Sequence, residues 1–363
     1  TRKESSAASD VYKRQQWTRR SYRPESLSRC PSFDYGHAMG VLKMELSTVN
    51  PQTLANGLFR ISFQALGTQC EISYSTNSGK VATDFRDGAL HWIRSFEKRY
   101  SRYIPDSLIS QINRSAGLSP VQIDSEDHRL FKLCDTLHFL TQGVFDPTTL
   151  PLSNIWDFKA AVPTIPSDSK IQHALEKVGW GRVDLQKDCV YLPEKGMGLD
   201  FGGFGKEYAV DRVTEIAKNF GITNAMVNLG GDIRTIGSPR KTDSWRVGIE
   251  DPNQPGKARF CLSTNNLAVA TSGNYQRFFK LNGRHYGHLL DHRTGYPTTS
   301  SYLSASVIAN TCLEAGILST SSLLDGNQSG LRIIENFFGA EGCIWTNNGL
   351  AWTKNFGEYI DSK

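Results

Sequence analysis

The sequence predicts a protein of mixed helices and strands, of the α/β or the α+β class. Segments with strand-like alternation are interspersed with segments of helical spacing, and no repeat of fixed period links them. The composition, with 39% hydrophobic and 21% charged residues among 363, is that of an ordinary globular protein. The length allows one large domain or two moderate ones.

The elements follow one another from about Phe59, where the apolar pattern becomes regular. Alternating apolar residues predict strands over residues 59–74 around Gly67, and again over 225–229, 245–249, 267–270, 342–345 and 350–353. Apolar residues three or four apart predict helices over Val81–Tyr103, Leu130–Leu140, Lys206–Phe220 and Thr311–Leu324. The last of these begins with a capping box, Thr311-x-x-Glu314.

The positive charge is concentrated at the N-terminus. Residues 1–40 hold eight Lys and Arg against four Asp and Glu, which is +4 of the net charge of +5. The rest of the chain is nearly neutral and lacks the basic footprint of a nucleic-acid-binding protein. Residues 1–38 are rich in Ser and Arg and show no periodicity. We therefore expect residues 1–56 to be a disordered or non-native tail and residues 57–363 to form the folded domain.

Membrane spans and a cysteine-based metal site are both disfavoured. No apolar run approaches the roughly 18 residues of a membrane-spanning helix, and the short run Ala38–Leu42 does not make a signal peptide. The seven cysteines contain no Cys-x-x-Cys pair and read as reduced thiols or buried apolar residues. These observations predict a cytoplasmic protein.

The first chemistry-bearing segment, Asp200–Asp211, is a Gly-rich turn that leads into a helix. Backbone N–H groups at such a helix start suit a phosphate, although the same glycines serve any tight turn that needs a positive φ. The glycine spacing matches neither the dinucleotide fingerprint nor the Walker motif. An NAD-dependent oxidoreductase is therefore disfavoured.

Three further segments combine strand ends with turns. Val227–Arg234 contains Gly-Gly-Asp after a strand, which also fits a simple hairpin. Ala270–Arg277 is followed by Tyr286–Pro297, in which His288 lies near Asp291 between two Gly-containing turns. A lone histidine is more often structural or exposed, but this setting makes His288 a candidate general base. The last segment is a Pro-bounded turn at 143–152.

In this order, the segments resemble one family, the FAD:protein FMN transferases, also called ApbE-type flavin transferases. The resemblance runs from about residue 66 to residue 324. Its markers are Leu66-Gly-Thr68, Tyr100–Ser107, Phe145–Leu152, Asp200–Asp211, Val227–Asp232, Ala270–Tyr275 and His288–Pro297. It implies an ApbE-like, T-fold-like α+β fold with mixed sheets and packed helices in a single large catalytic unit.

The resemblance also implies an activity and a site. Family members use a divalent metal, here Mg²⁺, to move the FMN moiety of FAD onto a Ser or Thr hydroxyl of a target protein, and they release AMP. The implied partner is an acceptor flavoprotein subunit with a Ser/Thr flavinylation motif. His288 would take the proton of the acceptor hydroxyl. The residues expected to hold FAD are Leu66, Tyr103, Val144, Phe145, Asp146, Asp200, Lys206 and Leu290, and those expected to bind the metal are Gly203, Ser319 and Thr320.

One position departs from the family pattern. Gly316 stands where the family usually has a metal-binding Asp, four residues before Thr320 on the same helix face. Glu314 is no simple replacement, because two residues along a helix correspond to about 200° of rotation. We expect Asp291, Asp232 or a water to complete the metal shell, with activity kept.

Other outcomes remain open. The metal would bind weakly, or the chain would carry FAD without transferring its FMN. A third function is an FAD pyrophosphatase, in which water replaces the acceptor hydroxyl and the products are free FMN and AMP.

Overall fold

The computed structural model describes residues 49–361, except 55–56, 159, 161, 240–241, 276–277, 299–301 and 326–328. Most of the tail predicted over residues 1–56 therefore lies outside the described residues. Val49 is buried, and the short strand Gln52–Thr53 pairs with the strand Phe59–Ala65. The described chain thus already joins the fold ahead of residue 57.

Eighteen strands are present in the described part of the chain. They are β1 (Gln52–Thr53), β2 (Phe59–Ala65), β3 (Thr68–Ser75), β4 (Val121–Gln122), β5 (Asp184–Leu185), β6 (Cys189–Tyr191), β7 (Asn224–Leu229), β8 (Asp232–Ile236), β9 (Trp245–Glu250), β10 (Ala258–Thr264), β11 (Ala268–Gly273), β12 (Phe278–Leu281), β13 (Arg284–Gly287), β14 (Leu290–Asp291), β15 (Tyr296–Pro297), β16 (Tyr302–Ala309), β17 (Glu341–Thr346) and β18 (Gly349–Trp352).

The same residues form eight α-helices, joined by short 3₁₀ turns such as Phe201–Gly203. The helices are α1 (Gly79–Tyr100), α2 (Leu108–Arg114), α3 (Ser125–Leu140), α4 (Leu150–Ile155), α5 (Asp168–Leu175), α6 (Gly205–Asn219), α7 (Cys312–Asp325) and α8 (Gly330–Glu335). None of them is both long and apolar enough to cross a membrane. The cytoplasmic location stays a prediction.

A nine-stranded antiparallel sheet forms the centre of the fold. Its strand order is β1-β2-β3-β7-β8-β11-β16-β17-β18. The hairpin β2–β3 therefore lies directly beside the hairpin β7–β8, although about 150 residues separate them in sequence. Smaller sheets are made by β4-β6-β5, by β9–β10, by β12–β13 and by β14–β15.

Alternate residues of the central strands face two different cores, as the twofold side-chain period of a strand requires. On β11, Val269 packs with the hairpin β9–β10, whereas Ala270 packs under helix α7. On β16, Ile308 and Val307 divide in the same way. The helices α1, α6 and α7 thus cover one face of the large sheet, and the β9–β10 hairpin covers the other.

A second apolar cluster joins the end of α1 to α2, α3 and the small sheet. Helix α3 starts at Ser125, five residues before the predicted start. Asp124 caps it, and the Asp127 carboxylate accepts a hydrogen bond from the Asp124 N–H at 2.9 Å. This capping box explains why the helix extends beyond its apolar spacing.

The other predicted elements are present, with ends shifted by one to three residues. The predicted capping box of α7 is confirmed, since Glu314 Oε2 accepts from the Thr311 N–H at 3.0 Å. Strand β16 was not predicted. Both of its faces are buried over most of its length, so it lacks the alternation that marks a half-exposed strand.

Candidate active site

The Gly-rich segment begins at Asp200, whose carboxylate is tied on both sides. One oxygen caps the 3₁₀ turn by accepting a hydrogen bond from the Gly202 N–H at 2.9 Å. The other pairs with Arg102 Nε at 3.0 Å. The Arg102 guanidinium lies 4.4 Å from the centre of the Tyr103 ring, which is 76% exposed. Arg102 therefore links two of the predicted FAD-binding residues.

Lys206 lies in the first turn of α6, against the β7–β8 hairpin. Its Nζ donates a hydrogen bond to Asp232 and lies 3.9 Å from Oε1 of Glu207. Burial lowers the pKa of Lys206, but the combined attraction of Asp232 and Glu207 outweighs burial and holds the pKa above its usual range. Lys206 is therefore a lasting cation at a helix start, where backbone N–H groups also favour an anion.

Two hairpin tips meet beside this helix start. Leu66-Gly67 joins β2 to β3 with φ values of 53° and 70°, and Gly230-Gly231 joins β7 to β8 with φ values of 70° and 95°. Positive φ at both positions is the two-residue turn that matches the strand twist. A Cβ on Gly230 would lie 2.6 Å from Oγ1 of Thr68. Only glycine permits this approach of the two tips.

Glu207 fills the space beside Gly316 on α7. A Cβ on Gly316 would lie 2.5 Å from Cγ and 2.9 Å from Oε1 of Glu207. Glu207 is only 7% exposed, and its Oε2 has no hydrogen-bond partner among the described residues. Burial raises the pKa of Glu207 to about 7, against the attraction of Lys206. A buried carboxylate oxygen without a partner is costly and needs an explanation.

Three hydroxyl groups cluster at the same helix. Ser272 Oγ, on β11, lies 2.8 Å from Ser319 Oγ and 2.7 Å from Thr320 Oγ1. Ser319 Oγ also donates a hydrogen bond to the Gly316 carbonyl at 2.9 Å. Side chains of a helix lean toward its N-terminus, so Thr320 covers the turn that contains Gly316. The hydroxyls and the Glu207 carboxylate thus border one face of α7.

His288 is half-buried and directly follows β13, which ends at Gly287. A Cβ on Gly287 would lie 2.6 Å from Oδ1 of Asn274, which is two residues beyond Ser272. After His288, the chain is tied to the end of α7, where the Leu323 carbonyl accepts a hydrogen bond from Thr298 Oγ1 at 3.3 Å. These contacts anchor His288 between the end of β11 and α7.

Asp146 is engaged by the fold itself. Its Oδ1 accepts hydrogen bonds from the N–H and the Oγ1 of Thr148 at 2.7 and 2.5 Å, and its Oδ2 accepts from the Trp180 N–H at 2.9 Å. The adjacent Pro147 carbonyl accepts from the Asp200 N–H at 2.8 Å. Asp146 therefore helps to position the Gly-rich segment.

The remaining predicted FAD-binding side chains are apolar and partly buried. Leu66 packs against both helical cores, and its N–H donates to Glu97 Oε1 at 3.0 Å. Phe145 meets the Phe204 ring edge-on at 5.5 Å and approaches a Cβ position on Gly203 at 3.9 Å. Val144 precedes it. Leu290 packs instead in the separate apolar cluster that surrounds Trp156.

Comparison with known proteins identifies the family. A model described as the ApbE family matches residues 66–344 of this chain. The chain belongs to the ApbE family. The FAD:protein FMN transferase of Chlamydia pneumoniae is 33% identical over 239 residues, 64% of this chain and 73% of that protein. That of Vibrio cholerae is 26% identical over 279 residues, 76% of this chain and 84% of that protein.

Solved structures agree with this family. The crystal structure of the ApbE protein from Thermotoga maritima matches with a TM-score of 0.76 at 29% identity, covering 84% of this chain and 100% of that one. The apo flavinyl transferase ApbE of Pseudomonas stutzeri matches with a TM-score of 0.74 at 25% identity, covering 84% of this chain and 98% of that one. The predicted ApbE-like α+β fold is confirmed.

Within this ApbE-family fold, the two carboxylates expected to replace the missing Asp are already engaged. Both Asp291 oxygens accept hydrogen bonds from the Arg293 side chain at 2.9 Å, and Asp232 accepts from Lys206. The carboxylate beside Gly316 is Glu207, which the sequence analysis missed. Its position on the buried face of α6 offers a clue, because an acid on an apolar face is unusual.

A cation at this place would need hydroxyl, backbone or water ligands as well. The described residues contain no group of three or more His, Cys, Asp or Glu side chains arranged to hold a metal. Mg²⁺ fits such a donor set, because it commonly takes one or two carboxylates and keeps several waters. The orphaned Glu207 oxygen and the hydroxyls of Ser272, Ser319 and Thr320 are donors of the kind that Mg²⁺ prefers.

Proposed function

We propose that this ApbE-family chain transfers the FMN moiety of FAD to a Ser or Thr hydroxyl of an acceptor flavoprotein subunit, with Mg²⁺, and releases AMP. One observation carries the proposal: distant marker segments converge at the start of α6. There Lys206 contacts Asp232, Glu207 fills the space beside Gly316, and the tip at Gly230 touches Thr68. Relatives with this sequence pattern are named FAD:protein FMN transferases.

The start of α6 suits the phosphate chemistry. Transfer breaks the bond that joins the FMN phosphate to the AMP phosphate and forms a phosphoester to the acceptor oxygen. Negative charge develops on the departing AMP, and pre-positioned cations stabilise it. Lys206 and the N–H groups of the first α6 turn would hold this charge. Bound Mg²⁺, with Gly203, Ser319 and Thr320 among the expected ligands, would neutralise further charge on the pyrophosphate.

His288 is assigned as the general base. The acceptor hydroxyl oxygen attacks the FMN phosphorus, and a ring nitrogen of His288 takes the hydroxyl proton. Imidazole accepts protons readily near neutral pH. Its half-buried position between β11 and α7 leaves room for approach from solvent.

The FAD rings would be held by side chains around the same elements. The exposed Tyr103 ring, backed by Arg102, is available for stacking on a flat ring system. Leu66, Val144 and Phe145 offer apolar contacts, and Leu290 lies two residues from His288. Asp146 and Asp200 set the backbone against which FAD would bind.

The decisive test incubates the purified chain with FAD, MgCl₂ and a peptide that carries the acceptor Thr. Intact-mass spectrometry should report a gain of one FMN on the peptide, with an equal amount of AMP by chromatography. His288→Ala should slow the transfer about 100-fold or more. His285→Ala removes an exposed imidazole in the same hairpin that stacks on Phe278, and should leave the rate unchanged.

Two results would replace this proposal with an alternative. FAD that stays bound and intact would make the chain an FAD carrier. AMP and free FMN without labelled peptide would make it an FAD pyrophosphatase.

A further inference from the structure

Helix α7 has a vacancy that another helix fills. At Gly316 the helix presents no side chain, and the carboxylate of Glu207 enters that space from α6, with Cγ 2.5 Å and Oε1 2.9 Å from where a Cβ would stand. The two residues are complementary in size, because a side chain at 316 and the Glu207 carboxylate cannot share the space. The carboxylate that α7 lacks is therefore present, and it comes from α6.

The surroundings of Glu207 are incomplete for a structural role. Oε1 lies 3.9 Å from Lys206 Nζ, beyond hydrogen-bond distance, and Lys206 instead donates to Asp232. Oε2 has no hydrogen-bond partner among the described residues, although the residue is more than nine-tenths buried. Natural proteins rarely leave a buried carboxylate oxygen in this state unless a ligand completes it.

Oxygen donors lie on the same face of α7. Thr320 follows Gly316 by one helical turn, and Ser319 donates to the Gly316 carbonyl. Ser272 brings a third hydroxyl to both. A carboxylate oxygen beside a set of hydroxyls is a donor set for a hard divalent cation.

We propose that Glu207 is a ligand of the divalent cation, taking the place of the acid that α7 lacks at Gly316. The identity of the cation as the Mg²⁺ of flavin transfer rests on the proposed function. The exchange is reciprocal: an acid on α7 needs a small residue on α6, and an acid on α6 needs glycine on α7. Asp291 and Asp232 are not needed for this role.

Metal binding by the apo protein tests the proposal without reference to activity. The full chain is stripped of metal, and Mn²⁺ binding is followed by electron paramagnetic resonance with and without FAD. Glu207→Gln keeps the side-chain volume and should weaken Mn²⁺ binding at least about 10-fold. Glu215→Gln, two turns further along α6 on a half-exposed side chain, is the matched control and should bind Mn²⁺ like the unaltered chain.

A swap of the two positions guards against misfolding as an explanation. Gly316→Asp alone should bind Mn²⁺ poorly because the new side chain collides with Glu207, and Glu207→Gly alone should bind poorly because no carboxylate remains. The double variant Glu207→Gly with Gly316→Asp returns one carboxylate to the same space. It should recover Mn²⁺ affinity to within about fivefold, with circular dichroism confirming the fold of each variant.

The outcomes separate this proposal from the proposed function. Unchanged Mn²⁺ affinity in Glu207→Gln, absence of any Mn²⁺ site in the unaltered chain, or a folded double variant without recovery would each overturn the role of Glu207. If Mn²⁺ binds through Glu207 but the unaltered chain transfers no FMN, the ligand assignment stands and the transferase proposal fails.

Discussion

Asp127 and Glu207 occupy the same position in two helices, the third residue of α3 and of α6, and both are buried. Their partners differ. Asp127 accepts hydrogen bonds from Arg99 Nε at 2.6 Å, from the Tyr100 hydroxyl at 2.7 Å and from the Asp124 N–H at 2.9 Å. One oxygen of Glu207 has no such partner among the described residues.

The pKa values follow these partners. Burial raises the pKa of Asp127, but the hydrogen bonds from Arg99 and Tyr100 outweigh burial, so the net shift is downward. Burial raises the pKa of Glu207 to about 7, because Lys206 offsets only part of it. A buried acid at a helix start is thus structural when its hydrogen bonds are complete, and indicates a ligand site when they are not.

The largest effect on stability is expected at Asp127. Asp127→Asn removes the charge that pairs with Arg99 inside the second core, and should lower the free energy of unfolding by about 3 kcal/mol. Urea denaturation with EDTA present measures this. Glu126→Gln, on the exposed neighbour in the same helical turn, should change it by less than about 0.5 kcal/mol.

Glu207→Gln gives the contrasting value in the same assay. Because the carboxylate lacks a full set of partners, its removal from the metal-free chain should change the free energy of unfolding by less than about 1 kcal/mol. A loss at Glu207 as large as that at Asp127 would end the distinction between the two acids.

A middle-sized effect is expected at Asp211, an α6 acid that is buried yet satisfied. Its carboxylate accepts from the N–H groups of Cys312 and Leu313 at 2.9 Å each, and pairs with Arg234 at 2.9 Å. It therefore caps α7 from another helix. Asp211→Asn should cost about 1.5 kcal/mol in thermal or urea unfolding.

Glu215→Gln provides the comparison for Asp211. Glu215 also lies near Arg234, at 3.5 Å, but it contacts no helix start. Its loss should cost less than about 0.5 kcal/mol. Equal losses at the two positions would mean that the Arg234 ion pair, and not the α7 cap, is what Asp211 contributes.

The smallest effect is the acid dependence of the Asp127 contribution. Because the folded-state pKa of Asp127 is lowered, its contribution is present above the unfolded pKa, about 3.9, and is lost as pH falls through the folded pKa. The stability difference between the unaltered chain and Asp127→Asn should shrink by about 1 kcal/mol between pH 5 and pH 3. A constant difference across that range in urea titrations would contradict the lowered pKa.

Much of this architecture is readable from local patterns. The hairpin β2–β3, the helices α1, α6 and α7 and the capping box at Thr311 follow from spacing and end residues within a few positions of each other. Strand β16 and the early start of α3 escaped, the first because it is buried on both faces and the second because a cap extends the helix. The candidate site was predicted as a set of segments, through a family resemblance.

The sequence by itself determined the family, the marker segments and the missing acid at Gly316, because these are properties of residue order. Only the tertiary structure decided which carboxylate lies beside that glycine. Asp291 turned out to be held by Arg293, and Asp232 by Lys206, whereas Glu207 enters the space on α7. Side chains far apart in the chain meet only when helices pack, and packing distances of a few ångströms are not written in the spacing of a sequence.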